Sequence, residues 1–232
     1  MSKAIYIALS GAVLRENHLE IISQNLANSN TLGYKKVKLA FKDHLINPEI
    51  SNNDKVMSSL AMQATDFSMG GLNQTGNPLD VALTGKGFIA LEGNKYTRRG
   101  DLKIDEKGIL TTQTGNPVLG SNGPIRISNG KVEIGLKGEV IVNKNSIDTI
   151  KLVDFPDRQA LVRIGDDLFQ TDQKSNVPVD CQLKQGYLES SNVEIVREMT
   201  RLITTLREFQ AFQKIIQGMD EATIKMSEIA RI

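Results

Sequence analysis

Two amphipathic stripes at opposite ends of the chain constrain this fold more than anything between them. Near the N-terminus, residues about 4–27 place Ile5, Ala8, Leu9, Ala12, Leu19, Ile22 and Leu26 at helical spacing. Ile5, Ala12, Leu19 and Leu26 recur every seven residues, while Arg15, Glu16, Asn17, His18 and Glu20 fill polar positions. Asn28 to Gly33 (Asn-Ser-Asn-Thr-Leu-Gly) ends this helix, because Asn, Ser and Gly favour turns and left-handed caps. Near the C-terminus, residues about 192–230 carry Val196, Met199, Ile203, Leu206, Phe209, Phe212, Ile216, Met219 and Met226 on an apolar face. Ser191 with Glu194 reads as a capping box before this second helix. Three successive three-residue steps from Ile203 to Phe212 predict a stammer that overwinds the helix locally. One helix cannot hide such a stripe alone. The economical solution pairs the two termini, within one subunit or between subunits.

Composition narrows the chemistry. A single cysteine, Cys181, excludes an intrachain disulfide and a thiolate-rich metal site. His18 and His44 are the two histidines, too few for a His-rich metal enzyme. A formal charge of +1 gives no electrostatic footprint for nucleic acid or an anionic membrane. No stretch approaches the ~18–20 consecutive apolar residues of a membrane span. Lys3 followed by Ala4 to Leu14 resembles a short secretory leader ending in Ser10-Gly11-Ala12. The heptad spacing continues past Leu14, however, and a cleaved leader has no reason to share a stripe with the mature chain. A retained helix is the reading taken.

Between the stripes the periodicity changes. Residues 71–187 read as an all-β domain, with Gly-containing turn signals at strand-like spacing. Leu79 to Leu83 alternates, and Phe88 to Leu91 is a short apolar run turned by Glu92-Gly93-Asn94 into Lys95-Tyr96-Thr97. Asp105 to Gly108 suits a bulged hairpin. Further strands are expected at 125–127, 131–134, 139–142 and 147–153. Gln-Thr-Gly-Asn-Pro occurs at 74–78 and again at 113–117, the reuse of one turn. The expected organisation is therefore an N-terminal helix (1–33), a connector (34–70), the β domain (71–187) and a C-terminal helix (188–232). The fold class is mainly β with α-helical termini. A central antiparallel, sandwich- or barrel-like domain is flanked by helices that pair as a coiled-coil-like bundle.

Asn25-Leu26-Ala27-Asn28, followed by Thr31, Gly33 and Tyr34, resembles the signature of the bacterial flagellar axial proteins, which comprise rod, hook and hook-associated subunits. Three further segments are similar to that family: Thr75–Leu83 with Gly85-Lys86-Gly87-Phe88, Tyr96–Leu102, and Leu188–Val193 with Glu198-Met199. The chain is much shorter than the hook protein. Asp66-Phe67 before Gly70-Gly71-Leu72, with Pro117–Gly120 and Gly123-Pro124-Ile125, is most similar to the proximal-rod subgroup, with the distal-rod subgroup next. Leu32 departs from the Pro often found before the Gly, and the polar stretch 46–64 matches nothing in the family pattern.

The resemblance implies a structural subunit that polymerises with itself and other rod subunits into part of the periplasm-spanning drive shaft. It further implies passage through the flagellar type III export apparatus without signal cleavage, and no cofactor, metal, nucleic acid or small-molecule substrate. The expected interface residues are Ile5, Leu9, Ala12, Leu19, Ile22 and Leu26, with Val196, Met199, Ile203, Leu206, Phe209, Phe212 and Ile216. The alternative from another class is a periplasmic soluble β-domain binding module or enzyme.

Sharper chemical readings are weak. Gly85-Lys86-Gly87 lacks the remainder of a phosphate loop and is expected to be a hairpin turn. Lys35-Lys36-Val37-Lys38 is expected on a solvated face or a subunit contact. His18 is expected on the polar side of its helix. Asp166-Asp167 and Asp101/Asp105 are carboxylate pairs beside turn residues, with nothing to mark them as catalytic. A muramidase has no spare domain to occupy. Cys181 reads as a small buried hydrophobe.

Overall fold

The computed structural model describes residues 2–40, 62–128, 130–177 and 180–229. Helix α1 spans Ser2–Ala27 and helix α2 spans Ile195–Ile229. Everything described between them is strand, turn and one 3-10 turn at Arg158–Ala160. The chain is mainly β with helical termini that pack on each other. No closed barrel forms among the described residues, where the strands make one five-stranded sheet, one three-stranded sheet and several two-stranded ribbons. The chain groups into two compact units. One gathers α1, α2 and an antiparallel strand pair; the other gathers residues 28–36 and 66–193.

In the helical unit, α1 and α2 run antiparallel. Arg15 Nε meets Glu208 Oε2 at 3.1 Å, and Gly11 is so close to Phe212 that a Cβ would lie 2.6 Å from the ring. The strand pair joins Val37–Ala40 to Met62–Thr65, with Val37 opposite Thr65. The expected connector thus carries sheet structure at both its ends; residues 41–61, which include His44 and most of the polar stretch 46–64, lie outside the described residues.

In the β-rich unit, the five-stranded sheet runs Leu152–Val153, Phe88–Leu91, Lys95–Thr97, Leu168–Gln170, Val162–Gly165, all neighbours antiparallel. Phe88 to Leu91 is buried along its whole length. Successive side chains on a strand point to opposite faces, so Ile89 and Leu91 enter a large aliphatic core with Leu83, Leu110, Ile125, Val140 and Leu183. Phe88 and Ala90 enter a second, aromatic core with Tyr96, Phe155 and Phe169. Phe67 packs edge-on to Phe88 with centroids 5.6 Å apart.

Several local expectations are corrected. The strand expected over 147–153 is split between two sheets, Asn145–Thr149 and Leu152–Val153. Residues 125–127 form only a bridge, Ile109 to Arg126, although Ile125 and Ile127 are core residues. Gly85-Lys86-Gly87 is not a hairpin. It carries the chain from Val81–Thr84, paired with Gln182–Gln185, into the five-stranded sheet. Both copies of the Gly-Asn-Pro turn place Gly76 and Gly115 at positive φ. Helix α2 begins at Ile195, later than expected, and Ser191 Oγ accepts from the Val193 N–H in a local turn instead of forming the capping box.

Candidate functional site

The motif segments converge on one buried carboxylate. Glu189, on the strand Tyr187–Glu189, is 2% exposed. Its Oε1 receives Lys35 Nζ at 2.6 Å and the Gly70 N–H at 2.9 Å. Its Oε2 receives Arg98 Nε at 3.2 Å, with NH2 of the same guanidinium at 3.1 Å. Lys35 also donates to Ser68 O, and Arg98 NH1 donates to the carbonyls of Gly85 and Gly87. Two cations and one anion thus occupy the interior, held by backbone carbonyls. Burial pushes Lys35 below the ordinary lysine value and Arg98 pushes it the same way, while Glu189 opposes both. Such a group is stable only while every partner is present. It ties the exit of the first motif (Lys35), the Tyr-Thr-Arg segment (Arg98) and the Leu-Glu-x-Ser-Asn segment (Glu189) into one node.

Asn192 extends the node. Its Oδ1 accepts from Lys36 N at 2.8 Å, and its Nδ2 donates to Asp66 O and Ser68 O. Gly33 N donates to Glu189 O at 2.8 Å, and Tyr34 is buried under the Arg163 guanidinium, 4.4 Å from the ring centroid. The first motif is thereby explained residue by residue. Asn25, 2% exposed, brackets the Val37 peptide, donating to its carbonyl at 2.8 Å and accepting from its N–H at 2.9 Å. Asn28 and Thr31 close the turn after α1, with Ala27 exposed and Leu26 half-buried. Lys35 corrects the expectation of a solvated basic run. Its partner lies 154 residues away, beyond the reach of local pattern.

The helix pair divides the expected interface residues into two sets. Ile5, Ala12, Leu19, Ile22 and Leu26 lie buried or half-buried on α1, and Phe209, Phe212 and Ile216 are half-buried on α2. Met219, already expected on the apolar face, continues that α2 line, and so do Glu198, Leu202 and Thr205, which sequence reading missed because Glu198 and Thr205 break the apolar pattern. Leu9, Val196, Met199, Ile203 and Leu206 are exposed instead, from 44% for Leu206 to 79% for Val196. The expected stammer is two regular lines read as one: 198, 202, 205, 209, 212, 216 and 219 step by four and three without a break, and so do 196, 199, 203 and 206. The side chain of Met226 lies outside the described residues.

His18 is half-buried, not solvated on a polar face, and its Nδ1 has no hydrogen-bond partner. Burial lowers its basicity below 6.5, aided by Arg15 and Arg201 and opposed by Glu208 and Glu198. The unfolded chain therefore takes up this proton more readily, and helix pairing weakens as pH falls from above 6.5 toward the folded value. Amide protection factors across residues 5–26, taken relative to the intrinsic exchange rate at each pH, are expected to fall over that window in the wild type and to change much less in His18→Gln; equal responses would refute the role of His18.

The remaining titratable groups pair locally. Asp101 pairs with Arg99 at 2.6 Å, and Arg99 reaches Asp167 at 3.7 Å. Burial pushes Asp167 above the ordinary carboxylate value. Asp105 caps its own turn through Lys107 N and Ile109 N. Cys181 is half-buried against the aliphatic core, and burial raises its thiol. No cluster of metal-ligating side chains occurs among the described residues, and no described helix is long and apolar enough to cross a membrane.

Paired terminal helices, a central β-rich unit and a motif-built ionic node define an architectural subunit. Three family models match in chain order: "Flagella basal body rod protein" over residues 5–35, "Flagellar hook protein FlgE/F/G D1 domain" over 82–142, and "Flagellar basal body rod FlgEFG protein C-terminal" over 184–228. The flagellar basal-body rod protein FlgF of Caulobacter vibrioides is 32% identical, with 95% of each chain covered. FlgF of Mesorhizobium japonicum is 32% identical over 90% of each chain. The rod protein FlgG of Bacillus subtilis is 31% identical over the full length of both. The chain belongs to the flagellar basal-body rod protein family and is similar to both rod protein F and rod protein G. It is a structural rod subunit of the flagellum.

Proposed function

We propose that this subunit joins the rod through its terminal helices, which carry motor torque from one subunit to the next and perform no catalytic step. The observation that carries this reading is the split of the stripes: one face of the helix pair is used within the chain, while Leu9, Val196, Met199, Ile203 and Leu206 are exposed. Exposed apolar lines on paired helices mark an association surface. In a helical stack each patch meets a different patch on its neighbour. The subunit enters the periplasm through the flagellar type III apparatus and keeps its first helix, a reading supported by Ile5 and Ala8, which lie buried or half-buried on the helix that packs against α2.

The test is deletion of the gene in its source organism, complemented either with the wild-type chain or with Ile203→Asp. The deletion is expected to abolish swimming, hooks and filaments. Wild type restores them, whereas Ile203→Asp accumulates as a folded protein that fails to assemble. Normal hooks with Ile203→Asp would overturn the helix-borne assembly. Loss of the initiating residues from wild-type protein in basal bodies, read by mass spectrometry, would overturn the uncleaved route.

A further inference from the structure

A small cationic cavity lies beside the buried node. It has a volume of about 10 Å³ and is lined by Phe67, Lys86, Gly87, Phe88, Arg98 and Arg158. That is room for one occupant the size of a water molecule. Of the side chains in its wall, Lys86, Arg98 and Arg158 are cations and Phe67 and Phe88 are phenyl rings. None of these can accept a hydrogen bond. A water molecule would find side-chain donors for its lone pairs but no side-chain acceptor for its protons. An anion needs donors alone.

The balance of charge points the same way. The node sets two buried cations, Lys35 and Arg98, against one carboxylate, Glu189. Asp66 also attracts Lys35, but it pairs with Lys36 at 3.9 Å. Arg98 is 4% exposed, so one wall of the cavity is a desolvated guanidinium. Arg158 meets Asp154 one to one, through Nε at 2.8 Å and NH2 at 2.6 Å. Lys86, which is exposed, adds a further cation. The carboxylates of Asp154 and Asp180 line a separate groove that shares Lys86, and neither lines the cavity. Excess charge of one sign in a place with little water is costly, and an opposite charge brought there is held more strongly than in bulk water.

Size limits the occupant. The Gly85-Lys86-Gly87 segment lacks the form of a phosphate loop, and a cavity for one water cannot take a phosphate group. Chloride is a single atom little larger than water.

We propose that this cavity binds one small monovalent anion, chloride in ordinary solution, which offsets the positive charge beside the Lys35–Glu189–Arg98 node and stabilises the β-rich unit. Its donors come from three separate stretches of chain, at Lys86, Arg98 and Arg158, so binding requires the folded unit.

Urea unfolding of the full chain tests this, at constant ionic strength, as chloride replaces gluconate, an anion too large for the cavity. The midpoint is expected to rise with chloride. Well above the dissociation constant, each tenfold increase in chloride should raise the folding constant up to tenfold, the signature of one site. The chloride-35 NMR line is expected to broaden more with wild type than with Lys86→Gln. Lys86→Gln and Arg158→Gln are each expected to weaken the response to chloride several-fold. Lys131→Gln, at an exposed lysine outside the cavity, is expected to respond like wild type. Arg158→Gln also breaks the pair with Asp154, so the quantity compared is each variant's response to chloride and not its absolute stability. Lys86→Gln decides the matter alone if Arg158→Gln does not fold. Equal midpoints in chloride and gluconate, or an unchanged response in Lys86→Gln, would overturn the site and leave water as the occupant.

Discussion

Glu189→Gln is expected to remove on the order of 3–5 kcal/mol from the stability of the β-rich unit, as breaking a buried ion pair from one side typically does. The reason is arithmetic of charge in a place without water. Glu189 is the anion between Lys35 and Arg98, and the side chains of Lys35 and Glu189 are fully buried. An amide keeps the shape and one acceptor but leaves two cations facing a neutral group. Neither cation can reach solvent without breaking its bonds to Ser68 O or to the Gly85 and Gly87 carbonyls. Replacing all three together, as Lys35→Met with Glu189→Leu and Arg98→Met, is expected to cost far less, because the desolvation burden leaves with the attraction. Urea unfolding followed by tyrosine fluorescence reports the transition, since Tyr34 and Tyr96 are both buried in this unit. A single-variant loss below ~1 kcal/mol, the range of exposed pairs, would show that the node is not dry.

This node also marks where sequence reading stops. The helices were legible because a 3.6-residue period writes itself into consecutive residues. The end of α1 was legible too, since Asn28 to Gly33 is turn chemistry, whereas the start of α2 was placed too early. What α2 does with its apolar residues was not legible. A helix with two apolar lines produces the same list as one irregular line, and only the exposure of Ile203 beside the half-burial of Phe209 separates them. Lys35 was misplaced for a different reason. A lysine in a basic run is ordinarily solvated, and the exception depends on Glu189 arriving from the far end of the chain. Sheet order was hidden in the same way: Val81–Thr84 pairs with Gln182–Gln185, about a hundred residues on. The family motifs pointed at the node, since Arg98 and Glu189 sit within them. Motif agreement did not say that the residues touch.

Gly33→Ala is expected to destabilise the same unit by about 2–5 kcal/mol, from two separable causes. Gly33 has φ +69°, a left-handed conformation that costs an ordinary residue roughly 1–2 kcal/mol. A Cβ there would also sit 2.8 Å from Arg99 N and 2.9 Å from the Arg98 carbonyl carbon, backbone that cannot swing aside. Forcing it apart adds an overpacking cost of about 1–3 kcal/mol. It would also strain the Gly33 N–H bond to Glu189 O, and with it the strand that holds the buried carboxylate. Gly76 supplies the control within the same molecule. Its φ is +74°, but a Cβ there meets nothing within 4 Å. Gly76→Ala should therefore show the conformational cost alone, about 1–2 kcal/mol. Gly33→Asn divides the causes further, because Asn tolerates the left-handed region yet still carries a Cβ. It should recover only the conformational part. Equal losses at Gly33 and Gly76 would mean that Arg98 and Arg99 yield freely, and the close approach would then not explain why the motif has a glycine at this position.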